Sequence, residues 1–300
     1  MRIFVTGATG FIGSAIVREL VDAGHRVLGL ARSEAGAGAL ATAGVEAHRG
    51  DVADLDSLKR GAAATDGVIH TAYNHDFVNV TREAAAGADV RAIEAFGAAL
   101  AGSGRPLVIA SGVGLLGNGG VFTEDDTPDP RAGTAHRLPC ERAALALAAR
   151  GVRASVVRLA PSVHGDGDRG FVPALIGIAR AKGVSAYVGE GRNRWPAVHR
   201  MDAAHLFRLA AEKGVAGACY HGADDEGLAT RDIAAAIGQR LNLPVVSKSR
   251  DEAPAHFGWL AAFLALDAPT SSARTQERLG WRPRHPGLLA DLERGHYFDA

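Results

Sequence analysis

The stretch MRIFVTGATGFIG, residues 1–13, decides how the chain is read. Arg2 to Thr6 is a short β-branched and aromatic run, and apolar residues then recur at helical spacing from Phe11 to Leu20. The glycines between them therefore occupy a turn from a strand into a helix. Gly7 lets the chain leave the strand sharply, Gly10 leaves the backbone bare for a pyrophosphate, and Gly13 lets the helix pack close to the sheet. Free amides at the helix start, with the macrodipole behind them, make an anion site. Gly7, Thr9, Gly10, Phe11, Ile12 and Gly13 are accordingly expected to hold a dinucleotide, although such glycines also serve plain turns.

Working outward, Gly24 closes the first helix and residues 25–30 form a second strand, completing a βαβ unit. An acid at the end of that strand would bind the ribose hydroxyls of NAD. This chain has Arg32 and Ser33 there, which suit a 2′-phosphate and favour NADP. A third strand over residues 45–48 leads to Gly50, Asp51 and Val52, where Asp51 can meet the adenine amino group or cap the helix of residues 54–61. The fourth strand, residues 67–71, ends where the order of a doubly wound sheet reverses. His70, Thr71, Ala72 and Tyr73 are thus expected to line the cofactor. A helix over 81–100 and a strand over 106–110 follow, ending at Ser111, placed to donate to a carbonyl oxygen or to hydrogen-bond within the turn.

Residues 112–120, which include Val113 as a substrate contact, and residues 123–130 read as an irregular border of the site. Residues 134–150 are helical by spacing and residues 152–159 form a sixth strand. After the turn-rich PSVHGDGDRG, residues 161–170, the alternation of strands and helices becomes irregular. The division expected is 1–160 for the nucleotide-binding domain and 161–300 for a smaller substrate lobe, with 201–222 returning to the first sheet. GEGRNRWPAVHR, residues 189–200, brings arginines, Trp195 and His199 into a loop or short strand that binds an anionic or planar substrate, or else packs Trp195 and solvates the arginines. Helices are expected over 171–182, 201–213, 230–241 and 252–266.

Lys plus Arg and Asp plus Glu number 33 each, so no net field draws the chain to nucleic acid or to an anionic membrane. Two cysteines, Cys140 and Cys219, make neither a disulfide framework nor a metal-ligand spacing, so no metal is expected. No apolar run reaches membrane-span length and no signal peptide precedes the first strand, which points to the cytoplasm.

TGATGFIG, the turn Gly50-Asp51-Val52, the strand end at Ser111, the run VVRLAP at 156–161, WPAVHRMDAAHLF and the late LGWRP together resemble the extended short-chain dehydrogenase/reductase superfamily. The resemblance covers nearly the whole chain. It implies a Rossmann-type doubly wound parallel α/β sheet with a smaller C-terminal α/β substrate lobe, hydride transfer at a nicotinamide, and a homodimer. It also implies a Tyr acid/base, a Lys four residues later, and an upstream Ser and Asn. Here the family glutamate placed on Glu141 puts Gly133 at the Tyr position and Arg137 at the Lys position, while Asp89 stands for the Asn. Arg137 can hold the nicotinamide ribose but, always charged, cannot relay a proton. This pattern resembles the atypical branch named for epimerases and dehydratases.

Tyr73, His136, His164 and His199 remain as proton donors, and Ser111, Tyr73, Arg137 and Asp89 form the expected catalytic set. Tyr73, Val113, His164, Trp195 and His199 are the expected substrate contacts. The leading reading is an NADP(H)-dependent oxidoreductase of a small carbonyl or alcohol. A non-catalytic NADP(H)-binding redox sensor and an epimerase or dehydratase with retained NADP are the alternatives.

Overall fold

The computed structural model describes residues 1–76 and 79–299. Strands β1 (Arg2–Thr6), β2 (Arg26–Ala31), β3 (Glu46–Arg49), β4 (Gly67–His70), β5 (Pro106–Gly112) and β6 (Arg153–Leu159) alternate with helices. These helices are α1 (Phe11–Asp22), α2 (Glu34–Thr42), α3 (Leu55–Ala63), α4 (Arg82–Leu100) and α5 (Leu138–Ala146). With β10 (Cys219–Gly222) the strands form one seven-stranded sheet in the order β10-β6-β5-β4-β1-β2-β3, with every pair parallel. The chain leaves β1 toward β2 and β3, then returns to the other side of β1 at β4. That reversal opens a crevice at the carboxyl ends of β1 and β4, where open parallel sheets bind ligands.

Both faces of the sheet are covered, so its strands are near-continuous apolar runs. Ile3 and Val5 point into one core layer with Ile16, Leu20, Phe207 and Trp281, while Phe4 between them points into the other with Leu58, Phe96 and Leu147. The period of two along β1 thus divides three neighbouring residues between two cores. Thr6, Asp54 and Thr81 mark element boundaries. Thr6 ends β1, while the Asp54 and Thr81 side chains accept from Ser57 N and Ala84 N to cap α3 and α4.

Beyond β6 come β7 (Ser162–His164), α6 (Phe171–Lys182), β8 (Ser185–Val188), β9 (Arg194–His199) and α7 (Arg200–Lys213). After β10 follow β11 (Asp225–Ala229), α8 (Thr230–Leu241) and β12 (Val245–Lys248). Strands β11, β9 and β7 form a mixed three-stranded sheet, and β12 pairs β8. Val172, Ile176, Trp195, Ile233, Phe257 and Leu288 belong to the third core, which these elements share.

Two long helices expected from spacing are broken. Residues 134–150 form a 3-10 turn (Ala135–Arg137), then α5 with a proline in its first turn, then a second 3-10 turn (Leu147–Arg150) closed by Gly151 at φ 70°. Residues 252–266 divide at Gly258, whose φ of 57° is incompatible with a continuous helix. Residues Val113–Leu116, expected to be irregular, make a 3-10 turn with Val113, Leu115 and Leu116 buried. Strands β7, β8, β11 and β12 have three to five residues each, too short to display a period in the sequence.

Candidate active site

The turn between β1 and α1 explains each glycine by geometry. Gly7 adopts φ 69°, and a Cβ there would lie 2.7 Å from Thr71 Oγ1 and 2.9 Å from Ala72 N. A Cβ on Gly13 would lie 1.9 Å from the Gly7 carbonyl oxygen, so the first turn of α1 is seated directly on the loop. Gly10 differs: a Cβ there meets only the Gly7 oxygen, at 3.1 Å, and its other side is open. Helix α1 has no side-chain cap and no acid in its first turn. The first helical amide is that of Ser14, bonded to Gly10 O at 2.9 Å, which leaves the amides of Phe11, Ile12 and Gly13 for an anion. Thr9 and Gly10 are exposed beside them. An open backbone cradle of uncapped amides fits a diphosphate.

At the next strand ends, Arg32 is exposed and Ser33 caps α2 by accepting from Gly36 N. Arg49, which sequence reasoning passed over, donates to Ser33 O at 2.7 Å and pairs with Glu34. It arrives there because β3 lies beside β2 in register, Ala31 opposite Arg49. Asp51 accepts from Ala53 N at 2.9 Å, a local turn bond, and Val52 is half-buried beside it.

A cleft of about 140 Å³ opens at the strand reversal, lined by Ile12, Thr71, Tyr73, Ser111 and Arg137 among others. The Arg137 guanidinium carbon stands 3.8 Å from the centroid of the Tyr73 ring, and its Nη2 donates to Ala110 O at 2.9 Å. The Tyr73 hydroxyl and Ser111 Oγ are both buried at the atom and have no hydrogen-bond partner among the described residues. Burial raises the Tyr73 phenol pKa, with the Arg137 charge opposing the rise.

Beneath them runs a buried polar chain whose connectivity the sequence did not disclose. Thr6 Oγ1 lies 2.6 Å from His70 Nδ1, His70 Nε2 lies 2.8 Å from Asp89 Oδ1, and Asp89 Oδ2 lies 3.7 Å from Arg137 Nη2. Burial acts to raise the Asp89 carboxyl pKa, but the hydrogen bond and charge of His70, with the charge of Arg137, outweigh it and hold the pKa below the usual value. An ionised Asp89 accepts from His70 Nε2–H. Thr6 Oγ1 in turn accepts weakly from Ala72 N at 3.4 Å. His70, as expected, lines the cleft together with Asp89 and braces its floor, and Thr71 donates to Thr6 O at 2.8 Å.

This geometry, an open glycine cradle beside a polar cleft at a sheet reversal, coincides with a match over residues 3–221 to the family model described as NAD dependent epimerase/dehydratase family. The chain belongs to the NAD dependent epimerase/dehydratase family. An uncharacterized protein of Schizosaccharomyces pombe is 52% identical over 298 residues, 99% of this chain and 100% of that protein. The 2-alkyl-3-oxoalkanoate reductase of Stenotrophomonas maltophilia is 30% identical over 265 residues, covering 83% and 78% of the two chains. In fold, the chain is similar to a dTDP-glucose 4,6-dehydratase from Streptomyces venezuelae, solved with NAD bound, at a TM-score of 0.80 and 21% identity over 100% and 98% of the chains.

Within this epimerase/dehydratase-family fold the remaining expected residues lie apart from the cleft lining. Trp195 is 1% exposed in the third core, donates Nε1–H to Phe263 O at 3.0 Å, and stands 5.5 Å from the Phe171 ring. The packed reading of Trp195 is the one its surroundings match. Val113 is fully buried. His164 is buried on β7 with Nδ1 2.9 Å from Asp291 Oδ2, and its ring centroid lies 5.4 Å from that of His199. His199 stacks on His285 at 4.7 Å and accepts from Met201 N to cap α7. Burial, with the neighbouring imidazoles His164 and His285, pushes the His199 pKa down to about 4. His199, Asp202 and His285 bring ligand-type atoms within 4.8 Å of one another, and Asp202 already accepts from two backbone amides and from the His285 ring. His136 is half-buried in the 3-10 turn before α5, next to Arg137. No helix among the described residues is long and apolar enough to cross a membrane.

Proposed function

We propose that the protein is an NADP(H)-dependent oxidoreductase that reduces a small carbonyl compound, with Tyr73 as proton donor and Ser111 orienting the substrate oxygen. The observation that carries this reading is the pair of buried, unpartnered hydroxyls, Tyr73 OH and Ser111 Oγ, on one cleft beside the glycine cradle. Two polar groups left unpaired in a native interior cost free energy unless a ligand completes them. The activity of the similar 2-alkyl-3-oxoalkanoate reductase agrees with this class of chemistry.

The dinucleotide, when bound, supplies or accepts a hydride. Gly7, Gly10 and the amides of Phe11 to Gly13 cradle its diphosphate, with Thr9 beside them. Arg32, exposed and free of hydrogen bonds among the described residues, takes the 2′-phosphate with Ser33, while Arg49 offsets the charge of Glu34. Asp51 and Val52 border the adenine, and Thr71, Ala72 and Arg137 the nicotinamide end. Ser111 donates its hydroxyl proton in a hydrogen bond to the carbonyl oxygen and polarises it. The raised pKa keeps Tyr73 protonated at neutral pH, so the phenol can give its proton to the oxygen as charge develops there. Arg137, over the ring, stabilises the phenolate left behind, and the Asp89–His70–Thr6 chain holds Arg137 in place. Asp89 and Arg137 thus act as positioning residues in this reading.

Following NADPH absorbance against a panel of aldehydes, ketones and enones tests the proposal. Turnover that falls by about a hundredfold or more in Tyr73→Phe, with cofactor affinity retained, is expected. Tight NADPH binding with no turnover on any carbonyl would overturn it, in favour of a redox sensor or an epimerase that keeps its NADP.

A further inference from the structure

Arg200 opens α7, far along the chain from the glycine turn, yet its guanidinium sits on the first turn of α1. Its Cζ lies 4.6 Å from the centroid of the Phe11 ring, and Nη2 donates to Ser14 Oγ at 2.9 Å. Phe11 and Ser14 bracket the open amides that face an anion. On its other side, Arg200 Nη1 donates to Asp166 O at 2.6 Å in the loop after β7. That loop closes tightly over the stem: a Cβ on Gly165 would lie 3.0 Å from Arg200 Cγ, and Gly165 itself adopts φ 130°.

The charge balance around Arg200 is the informative part. Both of its hydrogen bonds go to neutral oxygens, and its Nε has no partner among the described residues. No carboxylate of the described residues lies within ion-pair distance of it, in contrast to Arg158 and Arg208, whose guanidinium nitrogens lie 2.9 Å and 2.7 Å from Glu141 and Glu19. The Asp166 charge acts on this half-buried guanidinium only from beyond ion-pair distance and burial outweighs it, so the cation carries a desolvation cost that a bound anion relieves. The nearest place built for an anion is the uncapped helix start on which it rests.

We propose that Arg200 is a diphosphate-binding side chain that reaches across from α7 to the glycine turn and ties the loop containing Gly165 and Asp166 to the bound dinucleotide. This rests on the dinucleotide reading above. Arg32 and Arg200 then recognise different parts of one ligand. Arg32 selects for the 2′-phosphate, whereas Arg200 answers to any dinucleotide carrying the diphosphate. Cofactor binding and the position of that loop become linked through one guanidinium.

The experiment is calorimetric titration of the full chain with NADPH, NADH, ADP-ribose and adenosine 2′-monophosphate. Arg200→Met keeps most of the stem packing and removes the charge, and Arg200→Lys restores a charge without the planar fork. Arg200→Met should weaken NADPH, NADH and ADP-ribose alike by roughly tenfold or more, leave adenosine 2′-monophosphate unchanged, and be partly rescued in Arg200→Lys. Wild-type affinity for NADPH and NADH in Arg200→Met overturns the inference alone, as does an equal loss for the monophosphate. Failure of the wild type to bind either dinucleotide overturns the dinucleotide reading and this inference with it.

Discussion

Replacing Asp89 tests whether the buried chain beneath the cleft is an ionised hub. Asp89 is 7% exposed, accepts from His70 Nε2 at 2.8 Å and stands 3.7 Å from Arg137. A hydrogen bond from His70 to the charged carboxylate is worth about 1.5–3 kcal/mol net. The attraction of Arg137 adds at most about 4 kcal/mol at an effective dielectric of 20, much of it cancelled by desolvation. Asp89→Ala leaves His70 Nε2–H without its acceptor and Arg137 without its counter-charge, so a stability loss of about 3–5 kcal/mol is expected. Asp89→Asn keeps the volume and one acceptor and should lose about 1–3 kcal/mol. Urea unfolding at several pH values measures both. Because the folded-state pKa of Asp89 is lowered, its stabilisation is fully present above the unfolded-state value and is lost as pH falls through the folded one. The wild-type advantage over Asp89→Asn should therefore be flat above about pH 5 and shrink in acid. Equal, sub-kilocalorie losses for Ala and Asn, or an advantage that grows in acid, would refute an ionised Asp89 at this position.

Gly10→Ala should leave unfolding nearly unchanged yet abolish dinucleotide binding, whereas Gly13→Ala should lower stability as well, since its Cβ would fall 1.9 Å from Gly7 O; circular dichroism melts with NADPH titration separate the two. Arg32→Ala should weaken NADPH far more than NADH in the same titration, and equal losses would remove Arg32 from the 2′-phosphate site. His199, with its pKa down at about 4, remains neutral in the fold after the unfolded chain has taken up its proton. Stability should accordingly be full above the unfolded-state histidine pKa and decline as pH falls toward about 4, and His199→Gln should flatten that slope in urea titrations.

What the sequence by itself determined was local. The β1 to α1 turn was legible because a strand, three glycines at fixed spacing and an amphipathic helix all lie within twenty residues, and the alternating elements that follow imply a parallel doubly wound sheet. Tyr73 and Ser111 could be nominated from their places at strand ends, since strand order alone puts those ends at the crevice. Helix breaks were less legible, because Gly258 at φ 57° and the proline in the first turn of α5 override an apolar spacing that continues through them. Only the tertiary structure decided which polar groups meet. His70 reaches Asp89 because its ring packs on Phe96 of α4, Arg49 reaches Ser33 through the register of β3 on β2, and Arg200 reaches the first turn of α1 because α7 packs along it. None of these pairs has a sequence signature. A contact between residues 186 positions apart, as Arg200 and Ser14 are, exists only once packing has closed the chain between them. Trp195 makes the same point, since an aromatic beside arginines reads equally as binding surface or core until its burial among Phe171 and Phe263 is seen.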